Sequence, residues 1–486
     1  MAFYPIIGIE THVQLNTKTK LFCSCANEFT PDEPNKNICP FCTGQPGALP
    51  TLNKEAVKKA IKLGIAVNGT IPKKTRWDRK NYFYPDSPAG YQISQYDNPI
   101  IEGGQLDFYI EDKTNGQFSP YSVKLTRAHL EGDAGKLMHS GNKTFVDFNR
   151  SGVPLIEIVT EPEMHNSSQA MAYISELQLL VRRIGISDAD MEKGQMRFDC
   201  NISLQTEAEN ATGQLPSYKV EIKNVNSVRA MGRAVEFEIQ RQTAILQSGS
   251  KPEQETRGWR DDLNQSEIQR SKEEAMDYRY FPEPDLRILE ITESDIDKLR
   301  DLPELPNAQR QRYLDLGLST QTANTFVSQS QAGQFFDSTL NNSKLGVEGI
   351  KICSNIITVN LLGYTQRLEK PIDQIISTHK LIEITELVLA KKINNKGLTK
   401  LIELINDSPE ASVSELVEAN GLKQVSDDNV LTVFAEQVLE NNPEQVAQYK
   451  SGKLQILDYL VGQCMRESKG KGNPQKFREI LQEKLR

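Results

Sequence analysis

One pattern recurs through the first ~290 residues of this chain and limits what it can become. Short strand-like runs set Glu, Asp, Asn, Arg or His at alternate positions, with apolar residues between them. Side chains on a strand alternate faces with period two, so each run has one apolar and one chemically specific face. In "IIGIETHVQL", Ile7, Ile9, Val13 and Leu15 share one face, and Glu10, His12 and Gln14 share the other. In "RFDCNISL", Arg197, Asp199, Asn201 and Ser203 oppose Phe198, Cys200, Ile202 and Leu204. In "VEIKN", Glu221 and Lys223 oppose Val220 and Ile222. In "PLIEIV", Glu157 interrupts an apolar run from Leu155 to Val159. A carboxylate buried there needs a cation, a metal or a donor network. Matched polar faces of this kind predict the floor of an active site. Glu10 and His12, two residues apart, could hold a divalent ion or move a proton. Taken alone, E-x-H equally describes a solvated strand, and Glu157 has a plainer alternative partner in Arg150.

The fold class expected is α+β. Residues 1–293, rich in Gly and Pro turns, read as a large, mostly antiparallel sheet domain. Helices are expected near Asn53–Val67 and Ser167–Ile184, where apolar residues recur at helical spacing. From Glu293 the texture turns helical. A break near Asn406–Pro409 divides an all-α domain at 294–405 from a small helical tail domain at 406–486. Three units agree with a prior of ~150 residues per domain. The net charge of −8 argues against generic binding of nucleic acid and leaves room for local basic patches. No apolar run approaches the ~18 residues of a membrane span, and the N-terminus lacks a signal-peptide pattern. A cytoplasmic protein with no membrane association is the expectation.

Seven cysteines also suit a reducing compartment better than a disulfide framework. Cys23 and Cys25, then Cys39 and Cys42 in "CPFC", supply four thiolates at metal-binding spacing, which predicts a closed, structural zinc site. Cys200, Cys353 and Cys464 sit in apolar patterns and read as core. "RKNYFYPDSPAGYQIS", with Arg79 and Lys80, and "DYRYFPEPD", with Arg279 and Tyr280, mix cations with aromatics. Such loops grip phosphates and stack bases, or else form rigid aromatic turns. "SGNKT" lacks the spacing of a phosphate loop, and neither G-x-G-x-x-G nor G-x-S-x-G occurs. No amidase-type Gly/Ser stretch and no cysteine beside a placed base stands out.

Together these words resemble the aspartyl/glutamyl-tRNA amidotransferase family, in its B-type chain. The likeness runs through "GIETHVQL", "RKNYFYPD…GYQISQYD", "DAGK", "NRSGVPLIEIVTEP", "ETRGW", "DYRYFPEPDL" and "LVGQCMRESKGKGNPQ". It implies a cradle fold followed by a helical domain and a tRNA-binding tail. It also implies a ligase that forms C–N bonds with glutamine as amido donor. Such an enzyme uses ATP to phosphorylate the side-chain carboxylate of Glu-tRNA(Gln) or Asp-tRNA(Asn), and ammonia then displaces phosphate. An amidase (A) subunit and a small C subunit would complete a heterotrimer. The resemblance makes Glu10, His12 and Glu157 catalytic, and Glu10, His12, Glu131 and Glu157 the magnesium ligands. Lys80, Arg150, Arg197, Asp199, Asn201 and Lys223 would contact the nucleotide. Lys80, Asp199, Asn201, Glu221 and Lys223 are also candidates to line an ammonia channel. Lys469, Lys471, Lys476 and Arg478 would meet tRNA phosphates. An aminoacyl-tRNA synthetase is disfavoured by the absence of "HIGH" and "KMSKS" words. Two departures stand out. The family usually reads "HLEEDAGK", whereas this chain has Gly132 where a second Glu is usual. The resemblance makes that Glu a metal ligand, so Glu131, Asp133 or water must replace it, or metal binds more weakly. Met276 stands where relatives often carry His, removing any proton-transfer role for that His.

Overall fold

A computed structural model describes residues 2–28, 30, 32–112, 114–271, 277–424, 428–468 and 470–485. Met276 and Lys469 fall outside the described residues. The chain divides into two compact units, Met1–Ala308 and Gln309–Arg486.

The first unit is built on a nine-stranded sheet. Its strands are β1 (Tyr4–Gln14), β2 (Ile101–Glu102), β3 (Gln105–Asp112), β4 (Gln117–Gly132), β5 (Pro154–Thr160), β6 (Met196–Gln205), β7 (Val220–Val225), β8 (Glu255–Arg260) and β9 (Gln265–Ser271). The order is β9-β8-β7-β6-β1-β5-β4-β2, with β3 also pairing β4. Every pair is antiparallel except β7 with β8. A parallel pair needs a long crossover, and the helix Val228–Gln247 lies within that connection.

Three helices matter to the sheet: α1 (Lys54–Ala66), α2 (Ser167–Arg183) and α3 (Val228–Gln247). Each begins at a side chain that accepts hydrogen bonds from free backbone N–H groups: Asn53, Asn166 and Ser227. Tyr173, Ile174, Leu177, Leu180 and Val181 of α2 and Ala230, Met231, Ala234 and Val235 of α3 join one core with Ile7, Ile9, Val13, Ile156, Ile158, Phe198, Cys200 and Ile202. The helices thus cover the apolar sheet face that strand alternation predicts. The opposite face is left to polar residues. Ile296 also belongs to this core, and the partly buried Leu299, Leu302 and Leu305 pack against it, so this segment packs with the sheet unit.

The second unit is helical. Tyr313, Phe326 and Phe336 cluster, with the last two rings stacked at 4.5 Å. A helix ends at Asp407 and the next starts at Val413. Farther along, Leu431, Leu457, Leu460, Cys464, Phe477, Leu481 and Leu485 form a separate core. Cys200, Cys353 and Cys464 are all buried. Among the described residues, no helix is long and apolar enough to cross a membrane.

Candidate active site

Register brings the polar positions of four strands together. His12 of β1 lies opposite Glu157 of β5 on one side and Arg197 of β6 on the other. Glu157 in turn faces His129 of β4, and Leu155 faces Glu131. One row across the sheet therefore reads Arg197, His12, Glu157, His129. The neighbouring row carries Asp199 opposite Glu10.

His12 Nε2 lies 3.2 Å from Glu157 Oε2 and 3.6 Å from Glu131 Oε1. His129 Nε2 lies 3.5 Å from Glu131 Oε2 and 3.5 Å from Glu157 Oε2. Ser94 donates its hydroxyl to Glu131 Oε2 at 3.1 Å. Two carboxylates and two imidazoles thus form a closed knot, with Glu131, Glu157 and His129 buried. Removing one partner from such a buried charged pair typically costs ~3–5 kcal/mol, so its members must be considered as a unit. Burial raises the proton affinity of Glu157, but the neighbouring His129, His12 and Lys80 more than offset it and hold Glu157 far below the ordinary carboxylate range. For His12, burial opposes the charged ring, while the hydrogen bond to Glu157 and the charges of Glu131 and Glu157 prevail, lifting it to about 9.

Ligand atoms of His12, Glu131 and Glu157 all lie within 4.8 Å of one another. One imidazole and two carboxylates suit a hard or borderline divalent cation such as Mg²⁺ or Mn²⁺. Glu10, the fourth expected ligand, falls outside this set. Its Oε1 accepts from Asn201 Nδ2 at 2.9 Å. Burial, then the charges of Glu157, Glu221 and Asp199, raise its proton affinity.

The other expected residues sort into three groups. Lys80 faces the carboxylates: burial works against its charge, but Glu131 and Glu157 overcome that and raise its pKa. Its ammonium sits 4.9 Å from the Tyr278 ring centroid. Asp199, Lys223 and Glu221 form a rail, with Lys223 Nζ 2.6 Å from Asp199 and 3.0 Å from Glu221. Arg150 is not the partner of Glu157. It pairs with Asp133, which Arg197 also holds at 3.0 and 3.1 Å. Both Asp133 oxygens thus accept from arginine side chains.

Position 132 lies off this cluster. A Cβ there would sit 3.4 Å from Gly152 Cα and 3.7 Å from the Phe22 ring. Gly132 shares its strand phase with Leu130, on the face opposite His129 and Glu131. The cluster of His12, Glu131 and Glu157 forms without it.

A cavity of about 350 Å³ opens over His12, Lys80, Glu131, Arg197, Asp199 and Lys223. A second, of about 410 Å³, begins at Glu10 and Asn201 and runs to Ser203 and Tyr218. The aromatic loops close in beside them. Arg79 pairs with Glu283 at 2.7 and 2.9 Å and covers Tyr91 at 4.2 Å, which makes it a structural clamp. Tyr96 and Tyr280 stack at 4.3 Å. In the tail, Lys476 meets Asp428 at 2.6 Å and Arg478 pairs with Asp458, so two of the four expected phosphate cations already have partners.

The four cysteines converge: their sulfur atoms lie within 4.8 Å of one another. Four thiols match a tetrahedral zinc site. The Cys39–Cys42 turn has the compact form of a metal knuckle, with Cys39 N–H donating to Cys42 Sγ at 3.1 Å and Thr43 N–H to the Cys39 carbonyl at 3.1 Å. Gly44 follows at φ +68°, and a Cβ there would come within 2.5 Å of Pro88, so only glycine fits.

His129 is a member of the cluster that strand patterning did not single out. Its signal is nonetheless present, since in "HLEG" it shares strand phase with Glu131.

A cradle of this kind is matched by the family model of the GatB/GatE catalytic domain, over residues 5–297. A second, GatB domain model covers 334–485. The chain is 42% identical to the B subunit of the aspartyl/glutamyl-tRNA(Asn/Gln) amidotransferase of Persephonella marina, over 100% of both chains. It is 40% identical to the protein of the same name from Sulfurovum sp., over 99% of each. It is 43% identical to the chloroplastic/mitochondrial B subunit of the glutamyl-tRNA(Gln) amidotransferase of Physcomitrium patens, over 99% of this chain and 85% of the relative. The chain belongs to the family of amidotransferase B subunits.

Proposed function

We propose that this chain is the part of a glutamine-dependent tRNA amidotransferase that activates and amidates mischarged tRNA. The observation that carries this reading is the shared face of Glu10, His12, Glu131 and Glu157 beside Lys80. The names of its relatives support the reaction class. In that reaction the γ-phosphoryl group of ATP passes to the side-chain carboxylate of Glu-tRNA(Gln) or Asp-tRNA(Asn), leaving ADP and an acyl phosphate. Ammonia attacks the acyl carbon, the C–O bond to phosphate breaks, and the amide and inorganic phosphate leave with loss of one proton.

His12, Glu131 and Glu157 would hold Mg²⁺, which would supply charge neutralisation for phosphoryl transfer. His129 and Ser94 fix the carboxylates that face it. The Lys80 ammonium, drawn toward Glu131 and Glu157, borders the same cavity and orients phosphate oxygens. Arg197 and Arg150 are locked on Asp133 and shape the wall. Glu10 has one oxygen tied to Asn201, and its raised proton affinity suits it to take the proton that the attacking nitrogen sheds. The second cavity, which starts at Glu10, and the rail of Asp199, Lys223 and Glu221 offer a polar approach for ammonia. The relatives' names, which describe one subunit among several, support partners: an amidase that frees ammonia from glutamine and a small third chain. The tail, with its exposed Lys471, would touch tRNA. Seven unbridged cysteines support a cytoplasmic setting.

Glu157→Ala in the reconstituted complex should abolish ATP-dependent phosphorylation of Glu-tRNA, whereas Glu10→Ala should still form the acyl phosphate and slow its amidation, with tRNA binding kept in both. Unchanged ATP consumption in Glu157→Ala would sink this reading.

A further inference from the structure

Lys20 is fully buried. Its ammonium contacts the Phe148 carbonyl at 3.2 Å and Cys42 Sγ at 3.6 Å. No carboxylate among the described residues lies within ion-pair distance of it. A buried charge without an opposite charge is among the costliest features a fold can carry, and a single carbonyl dipole does not cancel it. The remaining group in contact is the sulfur of the innermost cysteine of the four-thiol cluster, itself only 3% exposed.

We infer that Lys20 is the built-in counter-ion of a metal-loaded, net-anionic tetrathiolate. Four thiolates around a divalent ion leave two negative charges, and Lys20 lies against one of the sulfurs that carries them. With the metal gone, nothing gathers four thiolates beside the ammonium, and its burial is offset less. Ion and lysine therefore hold each other in place. The inference concerns the cysteine cluster alone and stands whether or not the chain acts on tRNA.

The same lysine ties the cluster to the wall of the candidate active site. It hydrogen-bonds the 148–152 turn through Phe148, and Ser151 Oγ donates to the Cys42 carbonyl at 2.8 Å. Leu21 N–H donates to the Gly152 carbonyl at 2.9 Å, and Gly152 N–H to the Asp133 carbonyl at 2.8 Å. Asp133 is the residue that holds Arg150 and Arg197. Lys20 is thus a positioning residue with a path of backbone bonds to that wall.

The test compares zinc-loaded and chelator-stripped, reduced full-length chain for wild type and Lys20→Met. Groups supporting metal ligands typically contribute ~10–100-fold to metal affinity. Zinc should pass from Lys20→Met to a chromogenic chelator at least about tenfold faster than from wild type. The melting temperature should fall on substitution by more in the loaded protein than in the stripped one. Equal release rates, or the same shift in both states, would overturn the inference, because a merely space-filling lysine gives that result. If Lys20→Met does not fold, amine acylation of the wild type decides. Lys20 should resist labelling when zinc is bound and label after chelation, as read by peptide mass spectrometry. Protection that persists without zinc would overturn it equally.

Discussion

His129 shows how much one side chain decides at this site. Its Nε2 reaches both Glu131 and Glu157, while its Nδ1 has no hydrogen-bond partner. It touches the two carboxylates expected to hold the divalent ion and shares Glu157 Oε2 with His12. Replacing it with Gln should weaken Mn²⁺ binding by about 10–100-fold, the usual range for groups that orient metal ligands. Mn²⁺ titration followed by electron paramagnetic resonance measures this. Affinity equal to wild type would show that the carboxylates are placed by the sheet alone. At this scale the sequence was partly legible. Glu157 was readable because it interrupts an apolar run, and Glu10 and His12 because they alternate with apolar residues along one strand. The partner of Glu157 was not readable. Arg150, near it in sequence, is drawn to Asp133, while His12 and His129 come from strands far away along the chain.

A polar rail crosses three neighbouring strands of the sheet. Asp199 of β6 meets Lys223 of β7, which meets Glu221, which accepts from Thr256 of β8 at 2.9 Å. Burial pushes Glu221 toward its neutral form, but the charge of Lys223 and the hydrogen bonds from Lys223 and Thr256 dominate, so its pKa is lowered. A carboxylate depressed in the folded state stabilises the fold above its unfolded value of ~4.5, and that contribution fades as pH falls through the folded value. Glu221→Gln should therefore be less stable than wild type at pH 7, with the gap narrowing as pH drops below about 4.5. Urea unfolding across that range tests this, and a gap that is constant with pH would exclude the rail as its source. Element positions were legible for a simple reason. Strand alternation is local, and the helices at 54–66 and 167–183 carry their caps, Asn53 and Asn166, in sequence. Strand order was hidden, since β1 pairs with strands near residues 157 and 200 through backbone bonds that encode no side-chain pattern.

The molecule as a whole has two compact units with separate cores. Each buries its own aromatics, Trp77 and Phe198 in the first, Phe326 and Phe336 in the second. Units with independent cores unfold independently unless a large interface couples them. Calorimetry of the intact chain should resolve two transitions. Zinc chelation should lower only the one belonging to the sheet unit, since all four clustered cysteines lie there. A single transition that moves as one body would contradict this. At the same scale, the turn to helical texture near residue 293 was visible. The packing of Ile296, Leu299, Leu302 and Leu305 back onto the first core was not, because apolar spacing does not reveal which core a residue joins.

By itself the sequence determined which residues face the same way along each strand, where helices begin, and that four cysteines stand at metal-binding spacing. Those are short-range properties, set by the two-residue period of a strand, by caps and by turns. Only the tertiary structure decided that His129 completes the carboxylate pair, that Asp133 is taken by two arginines, that position 132 looks away from the site, and that a buried lysine lies against the cysteines. Each of these depends on contacts between distant segments, which cross-strand register and core packing select.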